Sequence, residues 1–97
     1  MEELSFVWDE RKDRSNQRRH GISFDEAKTV FFDENAIQYS DPDHSDAEDR
    51  FIMVGLSDKL KTLVVCHCYR EDGDKIRIIS ARKATKKERR AYSGANP

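Results

Sequence analysis

The dipeptide Asp72-Gly73 is the sequence feature that most constrains the fold. It separates two segments rich in β-branched and aliphatic residues, 62–70 and 75–82. Asp-Gly favours a two-residue type I′ turn, whose twist matches that of two antiparallel strands. We therefore predict a β-hairpin with a register fixed by the turn: Arg70 opposite Lys75, Cys68 opposite Arg77, and Cys66 opposite Ile79.

This register predicts a cationic face on the hairpin. Side chains alternate along a strand, so directly opposed residues share a face. Arg70, Lys75 and Arg77 then lie on one face, while Leu63, Val65, Tyr69, Ile76 and Ile78 form the other. Like charges this close repel, so we expect an anion to join them, from a ligand or from a carboxylate of the chain. Arg82 has the opposite parity and reaches this face only if the strand bulges or twists.

Helix signals precede the hairpin. Asp9 is a suitable N-cap for a helix over residues 10–19, and Gly21 follows where a left-handed residue is favoured. Ser23 and Glu26 have the spacing of a capping box for a second helix. Both helices should be short and amphipathic.

Further strands are predicted at residues 5–8, 36–39 and 50–56, and a terminal helix over residues 86–92 begins at the capping box of Thr85 and Glu88. The order predicts an α+β fold, with two N-terminal helices packed on an antiparallel sheet and a short C-terminal helix. No repeat or Pro/Gly-rich linker divides the sequence, so we expect a single domain over residues 1–97.

Net charge conceals a local separation of charge. The chain of 97 residues has 18 Lys and Arg against 19 Asp and Glu, and its pI of about 6.3 does not point to nucleic acid. However, residues 33–49 contain seven acids and no Lys or Arg, whereas residues 82–90 contain six bases and one acid. A polyanion can bind the basic region. On composition alone, a solvated charge run with salt-bridged arginines is the more common explanation.

Other classes of site and location are disfavoured. No apolar run approaches the roughly 20 residues needed to cross a bilayer, and a signal-peptide pattern is lacking, so we expect a cytoplasmic protein without membrane contact. Cys66 and Cys68 lie two apart on one strand, where a mutual disulfide would be strained. Alternation turns His67 away from both thiols, which argues against a zinc site.

Three motifs together resemble the BrnT family, the ribonuclease toxins of bacterial BrnT/BrnA toxin–antitoxin pairs. They are W-D-E at 8–10, H-G-x-S-F at 20–24 and R-I-I-S-A-R-K-A at 77–84, and the resemblance extends from about residue 6 to 92. It implies a RelE-like fold and an endoribonuclease that needs no metal or cofactor and inhibits translation and growth. It also implies a BrnA-like antitoxin partner, in a hetero-oligomer that binds operator DNA.

Within that resemblance, arginines and a histidine are the candidate catalytic residues. Cleavage of RNA by its own 2′-hydroxyl requires a base, an acid and stabilisation of a phosphorane. We assign phosphorane stabilisation to Arg70 and Arg77, with Arg82 as a third. In the alternative, these arginines form ion pairs with carboxylates of the chain: Glu48, Glu71 or Asp74.

His20 is the candidate general acid or base, because imidazole titrates near neutral pH. Its alternative role is a favourable charge at the end of a helix dipole. Glu48 or Tyr92 could carry the proton instead. We predict that His67, on the apolar face of the hairpin, is structural.

Lysines and arginines near the C-terminus complete the predicted surface. Lys75, Lys83, Lys86 and Arg90 are predicted to contact RNA phosphates, or else to face water. The sequence leaves one alternative function open, a non-catalytic module that binds nucleic acid or a protein partner through its cations.

Overall fold

The computed structural model describes residues 4–41, 49–70 and 74–95. In chain order its elements are β1 (Ser5–Val7), α1 (Glu10–His20), α2 (Phe24–Thr29), a 3-10 turn (Val30–Phe32), β2 (Ile37–Ser40), β3 (Phe51–Leu56), β4 (Thr62–Arg70), β5 (Lys75–Lys83) and α3 (Lys86–Ala95). This order confirms the α+β class. The predicted turn at Asp72-Gly73 lies outside the described residues, although the two strands that flank it are paired.

The strands form one sheet in the order β1-β5-β4-β3-β2. From β2 to β5 every neighbouring pair is antiparallel, but β1 pairs with β5 in parallel through Ser5–Lys75, Phe6–Ile76 and Val7–Arg77. The prediction of a wholly antiparallel sheet is therefore wrong at this edge. A three-residue strand with no hairpin of its own has no local signal that fixes its direction.

The predicted helix caps are present. The Asp9 side chain accepts a hydrogen bond from the Arg11 N–H at 2.8 Å, and Gly21 ends α1 in the left-handed region at φ 71°. At α2, the Ser23 hydroxyl accepts the Glu26 N–H at 3.1 Å. These caps satisfy backbone groups that the helices leave without partners, which explains where both helices begin.

One face of the sheet forms the main core. The residues Ile22, Phe24, Ala27 and Val30 from the helical layer pack against Leu63, Val65, Ile78 and Ala81 of β4 and β5. Each is fully or almost fully buried, and burial of a large aliphatic or aromatic side chain stabilises the fold by about 1.5–3 kcal/mol. Among the described residues, α3 packs on part of the opposite face, against β3. Within the described residues, no helix is long and apolar enough to cross a membrane.

Candidate functional site

A β-bulge in the central hairpin determines which cations share a face. The predicted pairs Arg70–Lys75 and Cys68–Arg77 are present. The register then shifts between Cys66 and His67, so that Cys66 pairs with Ser80. The predicted pair of Cys66 with Ile79 is therefore wrong, because one extra residue of β5 is accommodated at this point.

The bulge brings Arg82 onto the cationic face. Arg82 pairs with Val64, which has the same parity along β4 as Cys66, Cys68 and Arg70. The sequence analysis expected Arg82 on this face only if the strand bulges or twists, and the strand does bulge. The rows of Arg77 and Arg82 are nevertheless four residues apart along β4, a separation of about 13 Å. The cations form two groups, with Arg70, Lys75 and Arg77 at the hairpin end and Arg82 further along.

A cleft of about 190 Å³ lies beside Arg82. His20, Asp41 and Ser80 also line it, as does Cys66. His20 comes from the end of α1, near β5, whereas Asp41 directly follows β2 on the far side of β3. The cleft therefore combines a fixed positive charge with an imidazole and a carboxylate that approach from different sides.

Asn16 explains how α1 delivers His20 to this cleft. The Asn16 Nδ2 donates to the backbone oxygens of Ala81 at 2.7 Å and Ile22 at 2.8 Å, and its Oδ1 accepts the Ala81 N–H at 3.1 Å. The last pair of β1 with β5 is at Arg77. Beyond it, at Ala81, the Asn16 amide makes the hydrogen bonds with β5 that a neighbouring strand would make. His20 lies one helical turn after Asn16, on the same side of α1. The sequence analysis did not indicate this positioning role.

Arg82 is held by Glu88 in a bidentate ion pair. The Arg82 Nη1 and Nη2 atoms lie 2.7 Å and 2.9 Å from the two carboxylate oxygens of Glu88. Glu88 also accepts the Thr85 N–H at 2.8 Å and donates its own N–H to the Thr85 hydroxyl at 3.2 Å, so the predicted capping box is complete. The hydrogen bonds from Arg82 lower the pKa of Glu88 to about 2, against a smaller opposing effect of burial.

The ion pair bears on the alternative explanation for the arginines. Arg82 does pair with a carboxylate of the chain, but the partner is Glu88, whereas Glu48 and Glu71 lie outside the described residues. A guanidinium carries five N–H groups. The structure assigns two of those of Arg82 to Glu88 and one to the Lys83 carbonyl at 3.3 Å. Arg82 can therefore remain oriented by Glu88 while it donates to a bound anion.

The Asp41 carboxylate is a site residue that the sequence analysis missed. It accepts a hydrogen bond from the Cys66 thiol at a sulfur–oxygen distance of 3.7 Å. Burial, reinforced by the nearby charge of Asp41, raises the pKa of Cys66 to about 11, so this cysteine remains a neutral thiol. Strand alternation could have indicated Asp41. It lies two residues after Tyr39, so both residues belong to the same face of the sheet. Tyr39 pairs with Ile52, and Ile52 pairs with Cys66.

The predicted RNA-binding residues do not all lie together. Lys86 and Arg90 line a separate groove of about 610 Å³ with Arg89, on a different flank of α3 from Glu88 and Ala91. Lys83 is exposed and pairs with Leu63, which puts it on the opposite parity from Arg82. Lys75 stays with Arg70 at the hairpin end. The surface thus offers several basic regions around one cleft.

Two other titratable candidates are engaged elsewhere. His67 is fully buried, with its ring nitrogens 3.1 Å from the Val65 carbonyl oxygen and from the Gln38 side-chain oxygen, and burial lowers its pKa. Its predicted structural role is confirmed. The Tyr92 hydroxyl donates to Asp33 at 2.6 Å, and burial together with this bond raises the pKa of Tyr92 to about 12. A phenol of that pKa is a poor proton carrier near neutral pH.

Comparison with known proteins identifies a family and a related fold. The model of the BrnT ribonuclease toxins of type II toxin–antitoxin systems matches residues 8–88. The 1.1 Å crystal structure of the Brucella abortus ribonuclease toxin BrnT is similar, with a TM-score of 0.64 and 22% identity. That alignment covers 87% of this chain and 100% of the Brucella chain, and at this identity it shows the shared fold. None of the curated protein sequences compared with the chain matches it.

Proposed function

Because the chain belongs to the BrnT family of ribonuclease toxins of type II toxin–antitoxin systems, we propose that it is an endoribonuclease that needs no metal ion. In this proposal the 2′-hydroxyl of RNA attacks the adjacent phosphorus. The O2′–P bond forms, the P–O5′ bond breaks, and the products end in a 2′,3′-cyclic phosphate and a 5′-hydroxyl. The single observation that carries the proposal is the bulge that brings Arg82 into one cleft with His20 and Asp41.

Arg82 stabilises the phosphorane in this mechanism. Its charge is fixed, and the ion pair with Glu88 orients the guanidinium before substrate binds. A preorganised donor of this kind costs no reorganisation when negative charge develops on the phosphate oxygens. Arg70, Arg77 and Lys75, four to six residues away along β4, bind neighbouring phosphates of the same RNA.

His20 and Asp41 carry the two protons. An in-line displacement places the attacking and leaving oxygens on opposite sides of phosphorus, so the base and the acid must approach from opposite sides. His20 reaches the cleft from the side of β5 and Asp41 from the side of β2. We assign removal of the 2′-hydroxyl proton to the Asp41 carboxylate and protonation of the departing 5′-oxygen to the imidazolium of His20.

The proposal extends to the biology of the family. The whole chain of 97 residues acts as one toxin domain in the cytoplasm. A BrnA-like antitoxin neutralises it in a hetero-oligomer, and that complex binds operator DNA. Cleavage of RNA inhibits translation and growth when the antitoxin is absent.

The test is incubation of the purified protein with a defined RNA in EDTA, followed by analysis of the 3′ ends. We expect 2′,3′-cyclic phosphate ends, and no cut at a position where the RNA carries a 2′-deoxyribose. Arg82→Ala and His20→Ala should each lower the cleavage rate by about 100-fold or more. Arg70→Ala and Arg77→Ala should weaken RNA binding more than they slow the cleavage of bound RNA.

Lys87→Ala, on the exposed surface of α3, is the matched control and should cleave at the wild-type rate. Products with a plain 3′-hydroxyl would refute the 2′-hydroxyl mechanism. Salt-sensitive RNA binding with no cut product would instead support the alternative of a non-catalytic binding module.

A further inference from the structure

A row of directly paired residues crosses four strands on the face of the cleft. Tyr39 of β2 pairs with Ile52 of β3, Ile52 with Cys66 of β4, and Cys66 with Ser80 of β5. Neighbouring strands are about 4.8 Å apart, so Tyr39 lies about 10 Å from Cys66 across the sheet. The cleft with Arg82 occupies the Ser80 end of this row, and Tyr39 stands at the other end.

A second cavity, of about 360 Å³, lies at the Tyr39 end of this row. Ile52 lines both this cavity and the cleft, so the two are adjacent. The cavity is bounded by Val54 on its floor and by Ala91 of α3. The Tyr39 side of it is open, since this residue is 47% exposed. An exposed aromatic ring above an aliphatic floor offers a flat, apolar surface.

The chemistry of this cavity favours a nucleobase over a second phosphate. The only charged side chain among the described residues that line it is Glu88, an anion already paired with Arg82, so these residues offer no cation for a second phosphate. Every base has a π-face, and stacking on an aromatic side chain is a common and sequence-tolerant way to bind single-stranded RNA. The backbones of Arg82 and Tyr39 are three strand spacings apart, about 14 Å, but the Arg82 guanidinium reaches towards the cavity because it binds Glu88, which lines it. A nucleotide whose phosphate lies at that guanidinium can therefore place its base in the cavity.

We propose that the Tyr39 cavity is a base-binding subsite, in which the base next to the scissile phosphate stacks on the Tyr39 ring. The base next to the cut then extends across the sheet along the row from Ser80 to Tyr39, while neighbouring phosphates of the strand follow the hairpin towards Arg70. The subsite rests on the proposed function, since it takes the phosphate position from Arg82. In this proposal Tyr39 positions the substrate. The protein then recognises the nucleotide next to the cut, and not its phosphate alone.

The test measures binding without cleavage. Calorimetry compares the affinity of the protein for adenosine 3′-monophosphate and for inorganic phosphate, neither of which can be cut. The wild type should bind the nucleotide at least tenfold more tightly than phosphate. Tyr39→Val, which keeps a strand-forming residue and removes the ring, should bind both with equal affinity. Tyr39→Phe keeps the ring and should retain the wild-type preference.

Tyr69→Val is the matched control, because Tyr69 is 41% exposed on a strand of the same sheet but lies on the opposite face. It should leave the nucleotide preference unchanged. Equal loss in the Tyr69 and Tyr39 variants, or full preference in Tyr39→Val, would overturn the subsite. Since no step of the assay needs catalysis, a protein that fails to cut RNA but shows the Tyr39-dependent preference would refute the proposed function and keep the subsite.

Discussion

Arg82 and Glu88 are joined by two hydrogen bonds of 2.7 Å and 2.9 Å, and this pair connects the cleft to the first turn of α3. Glu88 makes the bonds of the helix cap with the same carboxylate that orients Arg82. One side chain therefore couples the position of the helix to the position of the cation. Because the two side chains are 41% and 32% exposed, water screens the pair, and we expect it to stabilise the fold by about 1 kcal/mol or less.

The ion pair predicts a loss of stability in acid. The pKa of Glu88 is about 2 in the fold, below its ordinary value of 4.5. A carboxylate whose pKa is depressed by folding stabilises the fold above its ordinary pKa, and this contribution is lost as the pH falls from about 4.5 to about 2. Glu88→Gln should lower the free energy of unfolding in urea at pH 6 and make no difference at pH 2.

Glu10→Gln is the control for that series. Glu10 is an exposed carboxylate in the first turn of α1 and has no ion pair among the residues that the structure describes, so its replacement tests a helix-terminal charge alone. Its effect should be a few tenths of a kcal/mol at pH 6. If Glu88→Gln and the wild type lost stability in parallel between pH 4.5 and pH 2, the depressed pKa of Glu88 would be wrong.

Asn16→Ala should destabilise the fold and also slow RNA cleavage. The change leaves the Ala81 N–H and the Ala81 and Ile22 carbonyls without their side-chain partner in a buried position. We expect a loss of about 2–4 kcal/mol in the free energy of unfolding, measured in urea. Cleavage by the folded fraction should fall as well, because α1 then no longer holds His20 beside Arg82.

The companion variant is Arg18→Ala, on the exposed side of α1. It should change the free energy of unfolding by no more than about 0.5 kcal/mol. Cleavage at the wild-type rate by folded Asn16→Ala would show that Asn16 has a structural role alone.

The sequence predicted those parts of the fold that have local signals. The capping residues Asp9, Ser23 and Thr85 mark the beginnings of the three helices, because each cap is made by neighbours in the chain. The first pairs of the hairpin also follow from local chemistry. The shift between Cys66 and His67 does not, since nothing in the adjacent residues shows that β5 contains one extra residue. That shift determines the face of the sheet on which Arg82 lies.

The composition of the cleft depended on contacts distant in sequence. Asp41 reaches it only because β2 is the neighbour of β3, and His20 because Asn16 binds β5 at a separation of 65 residues. The parallel direction of β1 is also set by tertiary packing. Family motifs named His20 and Arg82 as candidates, but their meeting in one cleft depends on the tertiary structure.

Cys66 should react slowly with iodoacetamide although it is only partly buried. The thiolate is the reactive form, and a pKa of about 11, compared with the ordinary 9.0, leaves little of it at neutral pH. In a Cys68→Ala background, we expect alkylation at pH 8 about 100-fold slower than that of an ordinary cysteine. Asp41→Asn should accelerate it, because the change removes a nearby negative charge that disfavours the thiolate.

Asp49→Asn, an exposed carboxylate near the beginning of β3, serves as the control and should leave the alkylation rate unchanged. Rapid alkylation of Cys66 in the wild type would contradict the contact with Asp41, and with it the placement of the proposed base in the cleft.

Tyr92→Phe should remove an ionisation near pH 12 and weaken the attachment of α3. The Tyr92 hydroxyl donates to Asp33, which also accepts the Leu56 N–H at 2.8 Å, so one carboxylate joins α3 to the end of β3. Since the pKa of Tyr92 is about 12 in the fold and 10.0 ordinarily, its contribution to stability is present below pH 10 and is lost as the pH rises towards 12.

Ultraviolet titration of the wild type should show an ionisation near pH 12 that is absent from Tyr92→Phe but retained in Tyr39→Phe. The free energy of unfolding at pH 7 should fall by about 1 kcal/mol, because Asp33 keeps its backbone donors. Persistence of the late ionisation in Tyr92→Phe would assign it to another tyrosine and would contradict this anchor of α3.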